Sequence, residues 1–296
     1  MNKTIFSCEV FPPKKTMNIE TVYKTLDELK DLKPDFISVT YGAGGSENCD
    51  NTLNIAERIK NVCGVKSAVH MPCRNMTKKD AEFVLTQFQN AGIESILALR
   101  GDGKEGVEPC TDFEHASDLI KFIKEFDSKR TDGKKFKILG ACYPEMHPQS
   151  ESVLSDLQGL KAKVDEGAEH LLSQLFFDNE RFYRFLERAQ LAGINVPIEA
   201  GIMPATNKKS IERMVSMTNA QLPKKFIKMM ERYQDSPEAI RDAGIAYAVD
   251  QIVDLVTNGV HGIHLYTMNN SYVAKKINDS VRSLFAEPPI EFTIKP

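Results

Sequence analysis

Ile5-Phe6-Ser7-Cys8-Glu9-Val10-Phe11 is a short apolar run with one carboxylate near its end. Seven more runs of this kind follow: 36–41, 66–71, 95–100, 136–143, 170–177, 196–203 and 262–267. Most are nearly continuous in apolar content, the pattern of parallel strands covered on both faces. Helical patterns lie between them. Over 17–32, Ile19, Val22, Leu26 and Leu29 recur every three to four residues. Thr77 with Asp80 reads as a capping box for a helix through Phe83, Val84, Leu85 and Phe88. Ala91-Gly92, Gly167-Ala168 and Ala192-Gly193 mark helix ends just before strands.

Eight strand-then-helix units fit a closed barrel or a large doubly wound sheet. The second calls for a glycine-rich phosphate turn after an early strand. No G-x-G-x-x-G is present, and Gly42-Ala43-Gly44-Gly45 lacks its spacing. The expected architecture is therefore one (β/α)8 barrel over residues 1–296, a common length for that fold. No stretch has linker composition, and the tail 287–296 is expected to wrap the barrel or lie loose.

Charged residues make up 27% of the chain and the net charge is -3, so no basic bias favours nucleic acid or an anionic membrane. No run approaches the roughly 20 apolar residues of a membrane span. The N-terminus has no sustained apolar segment of a leader. The six cysteines (Cys8, Cys49, Cys63, Cys73, Cys110, Cys142) form no C-x-x-C pair, so neither a metal site nor a disulfide framework is expected. A cytoplasmic location is expected.

Active sites of such barrels form at the C-terminal strand ends. Those ends supply Glu9, then Thr40 and Tyr41, then His70, then Arg100-Gly101-Asp102, then Tyr143 with Glu145 and His147, then Gln174, then Tyr266. Each has a structural alternative, such as Glu9 paired with a lysine or Asp102 capping a loop. Together, at one face, they point to a site, because polar residues inside apolar strands break local burial rules. Glu199, inside the seventh run, reads either as a pocket group or as a buried ion-pair partner. Cys8 and Cys142 read as small core residues, Lys224, Lys225 and Lys228 as a solvated face, and Met229-Met230 as core filling.

Ser7-Cys8-Glu9-Val10-Phe11-Pro12-Pro13-Lys14 resembles the opening motif of the methylenetetrahydrofolate reductases. The resemblance extends in order through Ser38–Ala43, Leu99-Arg100-Gly101-Asp102, Tyr143–Pro148, Lys161–Ala168 with Gln174–Asp178, Gly201–Pro204 and Leu265–Asn269. It is to the short bacterial form, with the catalytic barrel alone, so inhibition by S-adenosylmethionine is not expected.

The resemblance implies noncovalent FAD, reduced by NADH or NADPH and reoxidised by 5,10-methylenetetrahydrofolate in ping-pong fashion. It implies Glu9 as general acid, protonating folate N10 so that the methylene bridge opens before hydride arrives. It gives Asp102 a place beside flavin and folate, and Gln174 a contact with the pterin. Thr40, His70, Arg100, Gly101, His115, Ala116, Tyr143, His147, Asp156 and Lys163 fall at FAD-contact positions. Thr40 also matches a nicotinamide contact, and Arg100 and Lys163 match the diphosphate's cations. Ser210, Tyr266 and Asn270 fall at folate positions.

The chain also departs from the pattern. Gly159 and Ala162 stand where an asparagine and an arginine often hold FAD. Ser210 replaces a glutamine, Asn270 an arginine and Met214 a stacking phenylalanine. These departures leave a second reading open, a flavin- and folate-binding subunit fed electrons by a partner protein. A pterin-binding methyltransferase barrel without flavin is a third. A homo-oligomer is expected by resemblance.

Overall fold

Each predicted run forms a strand, and local chemistry sets where it stops. The computed structural model describes residues 3–13, 17–41, 46–102, 110 and 112–286, with the backbone alone for 46–50. Lys14, residues 42–45 and the tail 287–296 lie outside the described residues. The order is β1 (Ile5–Val10), α1 (Glu20–Leu29), β2 (Phe36–Val39), α2 (Ser46–Asn61), β3 (Lys66–Pro72), α3 (Lys78–Asn90), β4 (Ser95–Leu99), α4 (Ala116–Ser128) and β5 (Lys137–Cys142). It continues with α5 (Val153–Asp165), β6 (His170–Ser173), α6 (Asn179–Leu191), β7 (Ile198–Ile202), α7 (Lys208–Met217), α8 (Lys224–Tyr233), α9 (Pro237–Thr257), β8 (Gly262–Tyr266) and α10 (Ser271–Val281). All eight strands are parallel and close as β1 through β8 back to β1, a single (β/α)8 barrel.

Helix ends follow the sequence cues. Thr77 Oγ1 accepts from the Asp80 N–H at 3.1 Å, and the Asp80 carboxylate accepts from the Thr77 N–H at 2.9 Å. Gly92 and Gly193 adopt φ of +66° and +75° just past α3 and α6, where a Cβ would be strained. Phe83 departs from the expected apolar stripe and is exposed, whereas Val84, Leu85 and Phe88 are buried.

Two expectations need correction. The seventh run was expected from Val196, but β7 begins after Pro197, which has no N–H for a ladder. The sixth was expected to reach Phe177 with Gln174 inside it, but β6 ends at Ser173. Beyond it the chain leaves the wall: Leu175 and Phe177 join Met203, Phe226 and Met230 in a second apolar cluster. That cluster lies under α7 and α8, a helical pair inserted between β7 and α9 that the eight-unit reading did not anticipate. Met229 and Met230 pack there, and Lys224, Lys225 and Lys228 are exposed, as expected.

Side chains alternate across each strand, so the register identifies those that point to the barrel axis. Leu97, Leu139 and Leu172, from β4, β5 and β6, form an apolar cluster distinct from the main core between strands and helices. Ser7, Glu9, His70, Glu199 and His264, with His170 two residues before Leu172 on β6, also share the axial face. Among the described residues no helix is long and apolar enough to cross a membrane.

Candidate active site

Glu9 stands one residue before the end of β1, its side chain 18% exposed at the barrel mouth. Its Oε2 lies 3.5 Å from His70 Nε2 and 3.7 Å from His264 Nε2. Among the described residues no lysine or arginine comes within ion-pair distance of it. Burial pushes His70 down to about 4, against the opposing pull of Glu9. His70 is therefore a neutral imidazole near pH 7, and its buried Nε2 has no hydrogen-bond partner. Tyr266 closes this side: its hydroxyl donates to Ser173 O at 2.7 Å, and its ring meets His264 edge-on at 5.3 Å. Burial first, and Glu9 second, raise the Tyr266 phenol well above its usual range.

A second group of polar residues gathers over β4 and β5. Arg100 follows β4 and hydrogen-bonds Gln149. Gly101 turns at φ +82°, and Asp102 after it is exposed. A Cβ on Gly101 would come within 2.7 Å of Pro72. Across the gap, the Tyr143 and His147 rings meet edge-on at 4.6 Å. Burial and the nearby Asp102 push the Tyr143 phenol up to about 12. Burial and the nearby Arg100 lower His147. Asp156, in the first turn of α5, accepts from Ser150 Oγ at 2.9 Å and from the His147 N–H at 3.3 Å. Lys163 Nζ donates to Ala141 O at 2.9 Å, and burial lowers its pKa. Arg100, His147, Asp156 and Lys163 thus form one electrostatic cluster. Glu145 does not join it: it pairs with Arg181 at 3.3 Å and accepts the Gln221 N–H, tying this loop to α6.

The remaining residues make local contacts of their own. Thr40 follows β2, and its carbonyl accepts from Thr52 Oγ1 at 3.1 Å. His115 caps α4, its N–H held by Asp118 at 2.8 Å. Ala116 opens α4 and is buried. Gln174 turns its side-chain oxygen onto the Leu175 N–H at 2.9 Å. Ser210 is exposed in the first turn of α7, where the Asn207 side chain accepts from its N–H. Asn270 caps α10, its side-chain oxygen accepting from the Val273 N–H at 3.1 Å. Met214 packs against the second apolar cluster.

Three residues beside Glu9 had no role from sequence. Ser7 Oγ lies 2.6 Å from His264 Nδ1 and also hydrogen-bonds Glu199, which pairs with His170 at 2.7 Å. Glu199 is fully buried and hydrogen-bonded to Ser7 and His170, which places it in a buried polar network. The signal was present: Ser7 and Glu9, like His264 and Tyr266, are two apart on one strand and share a face.

The family model described as methylenetetrahydrofolate reductase matches residues 1–282. The 5,10-methylenetetrahydrofolate reductase of Escherichia coli (strain K12) is 36% identical over 271 residues, 92% of this chain and 88% of that one. Methylenetetrahydrofolate reductase (NADH) 1 of Arabidopsis thaliana is 37% identical over 280 residues, 90% of this chain and 46% of the plant protein. Among solved structures, an uncharacterized Clostridium thermocellum protein that binds two copies of 5-methyl-5,6,7,8-tetrahydrofolic acid superposes with TM-score 0.67 at 14% identity, covering 96% of both chains. A Coxiella burnetii dihydropteroate synthase in complex with pteroic acid superposes at 0.54 with 11% identity, covering 97% of this chain and 95% of that one. Those two share the fold. The sequence matches go further, and the chain belongs to the methylenetetrahydrofolate reductase family.

Proposed function

We propose that this chain reduces 5,10-methylenetetrahydrofolate to 5-methyltetrahydrofolate in two half-reactions, with Glu9 delivering the proton to folate N10. The observation that carries it is the Glu9 carboxyl at the barrel mouth, flanked by two imidazoles and by no lysine or arginine among the described residues. A carboxyl fixed by a cation could not exchange its proton readily; one beside the neutral His70 imidazole can hold and release it.

The β4–β5 cluster has the donor set a flavin dinucleotide needs. Arg100 and Lys163 offer cations to a diphosphate, Asp156 offers a carboxylate to ribose hydroxyls, and the orphaned His70 Nε2 offers a polar contact at the Glu9 end. His115, the Ala116 backbone, Thr40, Gly101, Tyr143 and His147 would complete the wall. FAD bound there would carry hydride from NADH or NADPH to the folate. Gln174 and Asp102 would meet the pterin, with Tyr266, Ser210 and the Asn270 amide along the rest of the folate. The enzyme is read as a cytoplasmic homo-oligomer.

The test separates the two halves. Purified protein should be yellow, and anaerobic NADH or NADPH should bleach it. Glu9→Gln should leave that bleaching intact and slow reoxidation by methylenetetrahydrofolate by about 10²–10⁴-fold. Normal reoxidation in Glu9→Gln would remove Glu9 as the acid. Bleaching by neither nucleotide would favour the reading in which a partner protein donates electrons, and a colourless protein would favour the flavin-free methyltransferase barrel.

A further inference from the structure

Beneath Glu9 a line of polar side chains runs down the barrel axis. His264 Nε2 is 3.7 Å from Glu9 Oε2, and His264 Nδ1 is 2.6 Å from Ser7 Oγ. Ser7 Oγ hydrogen-bonds Glu199 Oε2, and Glu199 Oε1 is 2.7 Å from His170 Nε2. Ser7, Glu199 and His264 are all fully buried, and His170 is 2% exposed. The sheet makes room for this line: a Cβ on Gly262, the register partner of Glu199, would sit 2.7 Å from Glu199 Cγ.

The proton inventory of this line has one consistent order. A carboxylate only accepts, so Ser7 spends its single hydroxyl proton on Glu199, as His170 spends its Nε2–H. Ser7 Oγ then has only lone pairs for His264, whose Nδ1 must carry the hydrogen. In a neutral imidazole the other nitrogen is then an acceptor. That nitrogen, Nε2, faces Glu9, with Ser38 Oγ at 3.5 Å as a further donor. An acceptor 3.7 Å from a carboxyl favours the form that has a proton to give. The groups facing Glu9 are His70 from β3 and His264 and Tyr266 from β8. Those facing Glu199 are His170 from β6, Ser7 and Cys8 from β1, and His264 beyond Ser7, with His261 behind His170.

We propose that Glu199 is a positioning residue that fixes His264, through Ser7, as its Nδ1–H tautomer and so keeps the proton on Glu9. The proposal rests on the reading of Glu9 as proton donor. It assigns a role at the base of the barrel to a carboxylate that touches neither substrate nor cofactor.

The experiment begins without a variant. The full-length protein labelled with ¹⁵N-histidine should show His264 with a protonated Nδ1 and a bare Nε2. In Ser7→Ala, which leaves the Glu199–His170 pair intact, the Nε2–H tautomer should appear. The pH at which the folate half-reaction is lost should fall by about one unit, roughly a tenfold loss above it, with the nicotinamide half-reaction unchanged. Glu199→Gln should move both readouts in the same direction, and Ser7→Ala stands alone if that variant fails to fold. An Nε2–H tautomer in the unmodified protein overturns the proposal, as does an unmoved pH profile in folded Ser7→Ala. If the tautomer behaves as stated while the protein reduces no folate, the function proposed above fails and the relay stands.

Discussion

The barrel axis is filled in two ways. On the β4–β6 side, Leu97, Leu139 and Leu172 meet as an apolar plug. On the β7, β8 and β1 side the same layers hold Glu199, His264, Ser7 and Glu9, with His70 and His170 at the seams. Both halves occupy equivalent register positions, so backbone geometry does not distinguish them. The energetics do. A leucine on the axis gains stability from burial alone. A buried carboxylate or imidazole is costly unless its partners satisfy it. The polar half recovers much of that cost through the Ser7–Glu199–His170 bonds, and under the proposed function what it gains is a mouth that holds a proton. One half supports the fold, and the other gives up some stability for chemistry.

That division can be broken from either side. The largest expected effect belongs to Glu9→Gln, with its loss of about 10²–10⁴-fold in the folate half-reaction. Its thermal midpoint should stay close to that of the parent, because an isosteric change at the partly exposed mouth makes no cavity. The reverse result, a lost midpoint with the rate retained, would put Glu9 in the structural half. Leu139→Ala should do the opposite. Removing a side chain that is 2% exposed leaves a cavity and should cost about 2–5 kcal/mol by denaturant titration. The folded fraction should keep the parent's pH profile for folate reduction. A Leu139→Ala protein that shifts that profile would show the two halves to be coupled.

The legible part of this molecule was the part written locally. Apolar runs marked all eight strands, and Glu9, His70 and Tyr266 stood out because a polar residue in an apolar run has no local reason to be there. The strand ends were less legible, because Leu175 and Phe177 continue the apolar pattern of β6 while serving the cluster under α7 and α8. That cluster is tertiary, and nothing local announces that Phe177 meets Phe226, ring centroids 4.5 Å apart. Glu199 was undecidable for the same reason. Its partners Ser7 and His170 lie 192 and 29 residues away, and only barrel closure brings Ser7 to it. Of the positions assigned by resemblance, Glu9, His70 and Tyr266 meet at one place and Arg100, Tyr143, His147, Asp156 and Lys163 at another. Sequence could not show that the Asn270 side-chain oxygen is committed to a helix cap.

Acid sharpens the comparison, because a buried neutral histidine and a surface cap titrate in different windows. His70 is held down to about 4 by burial, below the ordinary 6.5. Between those values the unfolded chain binds a proton that the folded one refuses, so stability rises with pH there and falls on acidification from 6.5 toward 4. The expected loss is on the order of 3 kcal/mol, somewhat less if Glu9 answers the charge. His70→Asn should flatten this limb in urea titrations run from pH 7 to pH 4; an unchanged slope would mean that His70 protonates freely in the fold.

The smallest effect belongs to the α3 cap, outside both halves. Thr77→Ala removes the hydroxyl that accepts the Asp80 N–H and also donates to the Asp80 carboxylate at 2.7 Å. The cost should be about 1 kcal/mol near neutral pH. The sign of its pH dependence is the same as that of His70, but its window lies lower. Hydrogen bonds from the Thr77 side chain and backbone hold Asp80 below its usual range. Its contribution is therefore present above the ordinary carboxylate pKa and lost as pH falls through the lower, folded value. The gap between Thr77→Ala and the parent should hold steady from pH 7 to about 4 and close only below that. A gap that closes between 6.5 and 4 would place the cap in the same titration as His70, and the separation between the polar axis and the surface would fail at that point.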